Sequence, residues 1–153
     1  MKKNIHSFWI VLFFAILISA AGLRLWQYHW PTAHIVVREN ELNVLVAKTP
    51  EHWYTGLGDR SRLTPFDGML FVFPVSSRLG FVMRNMRFPL DILWFDKGKV
   101  VDIAPNVPLE PGVTEVNLRV YYPRIDANIV LEVPAGWAQA HGVVIGDAIR
   151  AVQ

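Results

Sequence analysis

Asp91-Ile92-Leu93-Trp94-Phe95-Asp96-Lys97-Gly98-Lys99-Val100-Val101-Asp102-Ile103-Ala104 is the stretch on which the fold turns. Asp91 to Asp96 and Lys99 to Ala104 are of strand length and flank a Lys-Gly pair, the pattern of a β-hairpin with a two-residue turn. Successive side chains alternate across a strand, so Ile92 and Trp94 share one face while Leu93 and Phe95 share the other. Apolar residues on both faces predict a strand covered on both sides, as in a barrel or a sandwich.

Outward from the hairpin, the chain continues as short apolar runs separated by turn residues. His34 to Arg38 and Leu42 to Lys48 read as two strands around Glu39-Asn40-Glu41. Thr49-Pro50-Glu51 is a helix start, with a hydroxyl to cap and a proline in the first turn. That helix carries Trp53, Tyr54 and Leu57, expected to pack on the sheet, and is kept short by Gly56 and Gly58. Met69 to Phe73 is a continuous apolar run stopped by Pro74, and Phe81-Val82-Met83 is a further strand candidate. Asn106 to Thr114 reads as a Pro- and Gly-containing loop. Ile129 to Val133 is a strand interrupted only by Glu132. Pro134-Ala135-Gly136 is a turn, Trp137 to His141 a helical turn or two, and Asp147 to Val152 a final strand. The expected fold is therefore α+β and mostly β: a small barrel-like or sandwich domain with one or two short helices, preceded by an N-terminal transmembrane helix.

That preceding segment is the uncharged run from Ile5 to Leu23. As a helix it would reach about 28 Å, close to the roughly 30 Å hydrocarbon core of a bilayer. Lys2 and Lys3 flank one end, and Trp26, Tyr28 and Trp30 form an aromatic cluster at the other, before Pro31 ends helical continuation. The organisation expected is a signal-anchor segment over 1–25, a juxtamembrane connector over 26–33 and a globular domain over 34–153. With membrane contact through residues 5–23 and basic residues held inside, the domain lies on the periplasmic or extracellular side of the cytoplasmic membrane. Ser19-Ala20-Ala21 also resembles a signal-peptidase site, and cleavage there would secrete the domain instead.

Lys2 and Lys3 are the only formal charges before Arg24, and they account for the net +2; all 13 Asp and Glu lie beyond, matched by an equal number of Lys and Arg. A pI near 9.1 thus belongs to the leader, and the neutral domain gives no basis for nucleic-acid binding. Cysteine is absent, which excludes disulfides, thiolate metal sites and thiol nucleophiles. The five histidines have no ligand spacing, so no metal or cofactor is expected. No Gly-x-Ser-x-Gly elbow, phosphate loop or dinucleotide fingerprint occurs.

Five stretches, in order, resemble the uncharacterised bacterial and archaeal family called domain of unknown function 192. They are Gly56-Leu57 with Arg60 and Leu63; Gly68 to Phe73; Phe81-Val82-Met83-Arg84-Asn85; Pro89-Leu90-Asp91-Ile92; and Val130 to Gly136. The likeness runs from about Leu42 to Val152. It implies a small, mostly-β, barrel-like fold, often behind a signal or membrane segment, and no established activity. The family's recurrent Trp-Met-Lys-Asn-Thr-like stretch is altered here, with Val82 for the Trp, Arg84 for the Lys and Met86 for the Thr.

Polar side chains set among apolar strand residues must be solvated or paired. Arg60, Arg84, Asn85, Asp91 and Glu132 meet that description and form the candidate ligand-binding group. Two arginines and an amide suit a carboxylate, phosphate or sugar, with Asp91 or Glu132 accepting hydrogen bonds. The competing explanation is a structural network that fixes loops. Met69, Met83 and Met86 with Phe71, Phe73 and Phe81 could line an apolar pocket or simply form core. The leading expectation is a non-enzymatic envelope-facing module for a small polar or anionic ligand. One alternative is a hydrolase with Asp91 or Glu132 as general base, which needs a carboxylate of raised pKa in an open pocket beside a cation. The other is a structural or partner-binding domain, marked by an exposed apolar patch.

Overall fold

A computed structural model of the chain describes residues 5–27 and 30–152, and in the first stretch the side chains of residues 8–19 and 22. The chain divides into two compact units between Trp30 and Pro31. The first contains one helix, α1 (Ile5–Gln27). Among the described residues no helix is long and apolar enough to cross a membrane. The expected span at 5–23 lies partly outside them: side chains are described without a break only from Phe8 to Ser19, short of the roughly 20 apolar residues a span requires. Of the expected aromatic cluster, Tyr28 and the side chain of Trp26 also lie outside the described residues.

The second unit is a mostly-β α+β domain, as expected. Its elements are β1 (Thr32–Val37), β2 (Asn40–Ala47), α2 (Pro50–Thr55), β3 (Gly68–Ser77), β4 (Leu90–Asp96), β5 (Lys99–Val107), a 3-10 turn (Glu115–Asn117), β6 (Ala127–Pro134), α3 (Trp137–Ala140) and β7 (Ile149–Ala151). Seven strands form one curled sheet in the order β5-β4-β6-β3-β2-β1-β7, with β2 and β3 parallel. The two outer strands approach one another around a bridge between Lys99 and Ala148. Val100 N–H donates to the Asp147 carbonyl at 2.8 Å and Ile149 N–H to that of Gly98 at 2.9 Å.

The hairpin forms for the reason its sequence gives. Lys97 and Gly98 both have positive φ, 49° and 74°, as a two-residue turn matched to strand twist requires. Leu93 and Phe95 enter a core with Ile35, Val37, Val44, Leu70, Leu131 and Val133, whereas Ile92 and Trp94 are buried on the opposite face. Three expectations are corrected. Pro74 does not end β3, because the β3–β6 ladder is broken between Val72 and Ser77, where a residue lacking an N–H costs no pairing. Phe81 to Met83 is not a strand; Phe81 makes only an isolated bridge to Tyr121. The loop expected from Asn106 begins later, since β5 continues to Val107.

Gly68 is needed where β3 meets β6. A Cβ there would stand 2.4 Å from the Glu132 carbonyl oxygen and 3.0 Å from Val133 Cγ1. Gly68→Ala is therefore expected to destabilise the domain by about 1–3 kcal/mol, read as a lower urea midpoint at unchanged m-value.

Candidate functional site

Thr49 caps α2, its Oγ1 accepting the His52 N–H at 3.3 Å, and Gly56 at φ 52° turns the chain away at the other end. This short helix is pinned to the sheet by Trp53, whose ring stacks on Phe73 at 4.7 Å and whose Nε1–H donates to the Ala47 carbonyl at 3.2 Å. Phe81 meets Phe71 edge-on at 4.9 Å and packs against Phe73 and Trp94. Between α2, β3 and the 79–86 segment these rings leave a cavity of about 210 Å³. Its lining includes Trp53, Tyr54, Phe71, Phe73, Phe81, Val82, Arg84, Met86 and Glu132.

Glu132 reaches the cavity because Leu131 and Val133 beside it point into the core, leaving it the opposite face of β6. On that face its cross-strand neighbours are Met69 of β3 and Ile92 of β4. The residue is 5% exposed, and among the described residues its carboxyl group makes no hydrogen bond or ion pair. Burial without compensation pushes its pKa up to about 8.

The other four predicted residues go elsewhere or are already engaged. Asp91, fully buried, accepts N–H bonds from Asn106 at 2.7 Å, Gly136 at 3.0 Å and Ala138 at 2.8 Å. It holds the β5 end and the α3 start together, and its oxygens are directed at backbone rather than at a cavity. Arg84 lines the cavity, but its Nη1 donates to the Tyr54 carbonyl at 2.6 Å and its guanidinium lies 4.0 Å over the Tyr54 ring. Its Nε sits 2.8 Å from Glu115 Oε1 as an ion pair. Asn85, at φ 53°, donates from its amide to Asp59 and accepts the Asp59 N–H on its carbonyl, tying two loops together. Arg60 is half-buried, its pKa lowered by burial, and lines neither this cavity nor the neighbouring one. That second cavity, about 280 Å³, shares Tyr54, Arg84 and Met86 with the first and adds Asn85, Glu110 and Glu115. The predicted five are thus not one constellation: only Arg84 and Glu132 share the aromatic cavity.

Sequence reasoning missed Trp53 and Tyr54 as site residues, treating them as packing on the sheet. It also missed the ion pair of Asp102 with Arg124, whose Nη2 approaches Oδ1 to 2.6 Å. Burial raises the Asp102 pKa, but hydrogen bonds from the Arg124 side chain and backbone and from the Ile103 backbone outweigh it and hold the group low. Among the described residues no group of side chains is arranged to hold a metal ion.

Residues 33–151 match the family of domains of unknown function 192, described as uncharacterized ACR. The chain belongs to this family. Two solved structures share the family fold. One, described as a putative transcription regulator from Sinorhizobium meliloti 1021, is 26% identical with a TM-score of 0.71, covering 80% of this chain and 95% of that one. The other, a protein of unknown function from Novosphingobium aromaticivorans, is 24% identical with a TM-score of 0.68, covering 78% and 84%. No curated protein matches. Val82, Arg84 and Met86, the positions at which this chain departs from the family's recurrent stretch, all line the Glu132 cavity.

Asp91 and Glu132 predict opposite responses. Asp91→Asn, which weakens bonds to three backbone N–H groups, is expected to cost about 2–3 kcal/mol in denaturant unfolding at pH 7. For Glu132 the folded pKa lies above the unfolded one, so the folded state holds a proton that the unfolded state releases. Stability should therefore fall as pH rises from about 4.5 to about 8, by on the order of 4 kcal/mol, and level off above. Glu132→Gln removes that slope, so the variant should match wild type near pH 4.5 and exceed it at pH 8.

Proposed function

We propose that this chain is a membrane-held module on the outer face of the cytoplasmic membrane that binds a small polar ligand in the Glu132 cavity. One observation carries the reading: a buried carboxyl group with no partner among the described residues stands in an open cavity walled in part by aromatic rings. A buried polar group without a partner costs free energy, and a cavity that keeps one beside ring faces is suited to a ligand that supplies the missing contact. The anionic variant of this reading loses support, because Arg84 is committed to Tyr54 and Glu115. Membrane attachment rests on α1, where the described side chains from Phe8 to Ser19 are apolar but for Ser19 and all exposed, an arrangement that water does not favour. Lys2 and Lys3 set its direction.

A second reading, a hydrolase, is favoured by the raised pKa of Glu132 in a cavity that Arg84 also lines. It now rests on Glu132 alone, since Asp91 is spent on backbone N–H groups. Among the described residues no second carboxylate lines the cavity to share acid–base work.

A thermal-shift screen of sugars, amines and carboxylates against the full chain should give stabilisation by one class, lost in Trp53→Ala and in Glu132→Gln. Stabilisation that survives both substitutions would move the site elsewhere. Alkaline carbonate extraction should leave the chain in the membrane pellet. Recovery in the supernatant with an amino terminus at Gly22 would show instead that the segment is a cleaved leader.

A further inference from the structure

The fold treats two of its buried carboxylates, Asp91 on β4 and Glu132 on the neighbouring β6, differently. Asp91 accepts three backbone N–H groups, whereas Glu132 accepts none among the described residues. The face that carries Glu132 offers it only the uncharged Met69 and Ile92 as cross-strand neighbours. The cavity it lines is walled in part by rings: Trp53 stacked on Phe73, with Phe81 set edge-on to both Phe71 and Phe73. Aromatic faces are negative at their centres and attract cations, most strongly in a site stripped of water.

On the reading that this cavity is a ligand site, we propose that its ligand is a small organic cation whose ammonium group lies between the ring faces and the Glu132 carboxylate. Three features favour a cation over the other polar classes. A neutral sugar would use the rings and hydrogen-bond the protonated Glu132 carboxyl group, but would leave the negative ring faces without a counter-charge. An anion would face ring centres and a carboxyl group, and would have to draw Arg84 away from the Tyr54 carbonyl and Glu115. A cation supplies what the site lacks and asks for no rearrangement. Among the described residues Arg84 is the one cationic side chain lining the cavity, and its charge is offset by the 2.8 Å contact with Glu115. Its guanidinium already rests on the Tyr54 ring, so a cation on an aromatic face is a contact this site makes.

The ionisation of Glu132 is then coupled to binding. Near neutral pH its carboxyl group holds a proton. An arriving ammonium ion favours the carboxylate, and the proton leaves to solvent. Tyr54 and Arg84 are the other titratable side chains lining the cavity; β3 and β4 present only uncharged neighbours to Glu132. Affinity for a permanently charged ligand should therefore rise with pH up to about 8.

Calorimetry on the full chain in phosphatidylglycerol nanodiscs tests this with two pairs of equal shape: choline against 3,3-dimethylbutan-1-ol, and cyclohexylammonium against cyclohexanol. At pH 7 at least one charged member should bind roughly tenfold or more tightly than its neutral partner. The preference should collapse in Glu132→Gln, measured in the same discs so that lipid charge cancels. Binding heats in Tris and in phosphate should differ by the release of up to one proton. If Glu132→Gln does not fold, Phe73→Leu keeps an apolar wall without the ring and should weaken the charged members alone. Equal binding of charged and neutral partners overturns the proposal. Binding of N-acetylglucosamine but of neither ammonium compound overturns it too, while leaving the polar-ligand reading standing; binding of no probe removes both.

Discussion

Strand β6 lies between β3 and β4, and from Val130 to Val133 the residues on both of its faces are buried. Leu131 and Val133 on one face enter the main core, so strict alternation assigns Glu132 to the other. That face is closed by Met69 and Ile92 from the flanking strands and by the rings gathered under α2. Burial of a carboxyl group is thus a consequence of register. Sliding β6 by one residue would bury Glu132 in the main core and turn Leu131 outward. The site exists because the ladder is fixed, and the ladder is fixed by apolar residues on both sides of it.

The contrast between Asp91 and Glu132 separates compensated from uncompensated polarity within a single sheet. Asp91 joins segments that the sheet does not connect: the end of β5, the Pro134–Gly136 turn and the start of α3. Its negative charge is compensated by N–H dipoles, and no ion is required. Glu132 has an equally buried position without that compensation, and the chain accepts the cost. Natural folds keep such unmet groups chiefly where a partner arrives from outside.

Much of the fold was legible because local signals agreed. The Lys97-Gly98 pair specified a tight turn, apolar residues on both faces of β4 specified a covered strand, and Thr49-Pro50 specified where α2 begins. Pro74 misled, since a residue without an N–H ends a strand only where its partner would have used that N–H. The site was half legible. Glu132 stood out as the one charge in an apolar run, and Arg84 by its place in a recurrent stretch. Asp91 had the same appearance, because sequence cannot show which of two buried carboxylates will meet backbone donors brought from 15 and 45 residues away. Trp53 and Tyr54 were legible as packing residues only. Their role depends on where the 79–86 segment falls, which no local pattern encodes.

The seam between β5 and the segment entering β7 has a bearing beyond the domain's own stability. Open strand edges are where copies of a protein add to one another. Here the β5 edge is engaged at Gly98 and Val100 by Asp147 and Ile149. Further along, Asp102 receives both the backbone and the guanidinium of Arg124. The start of β5 is thereby closed to the backbone of another chain, and a second copy can meet it there only through side chains.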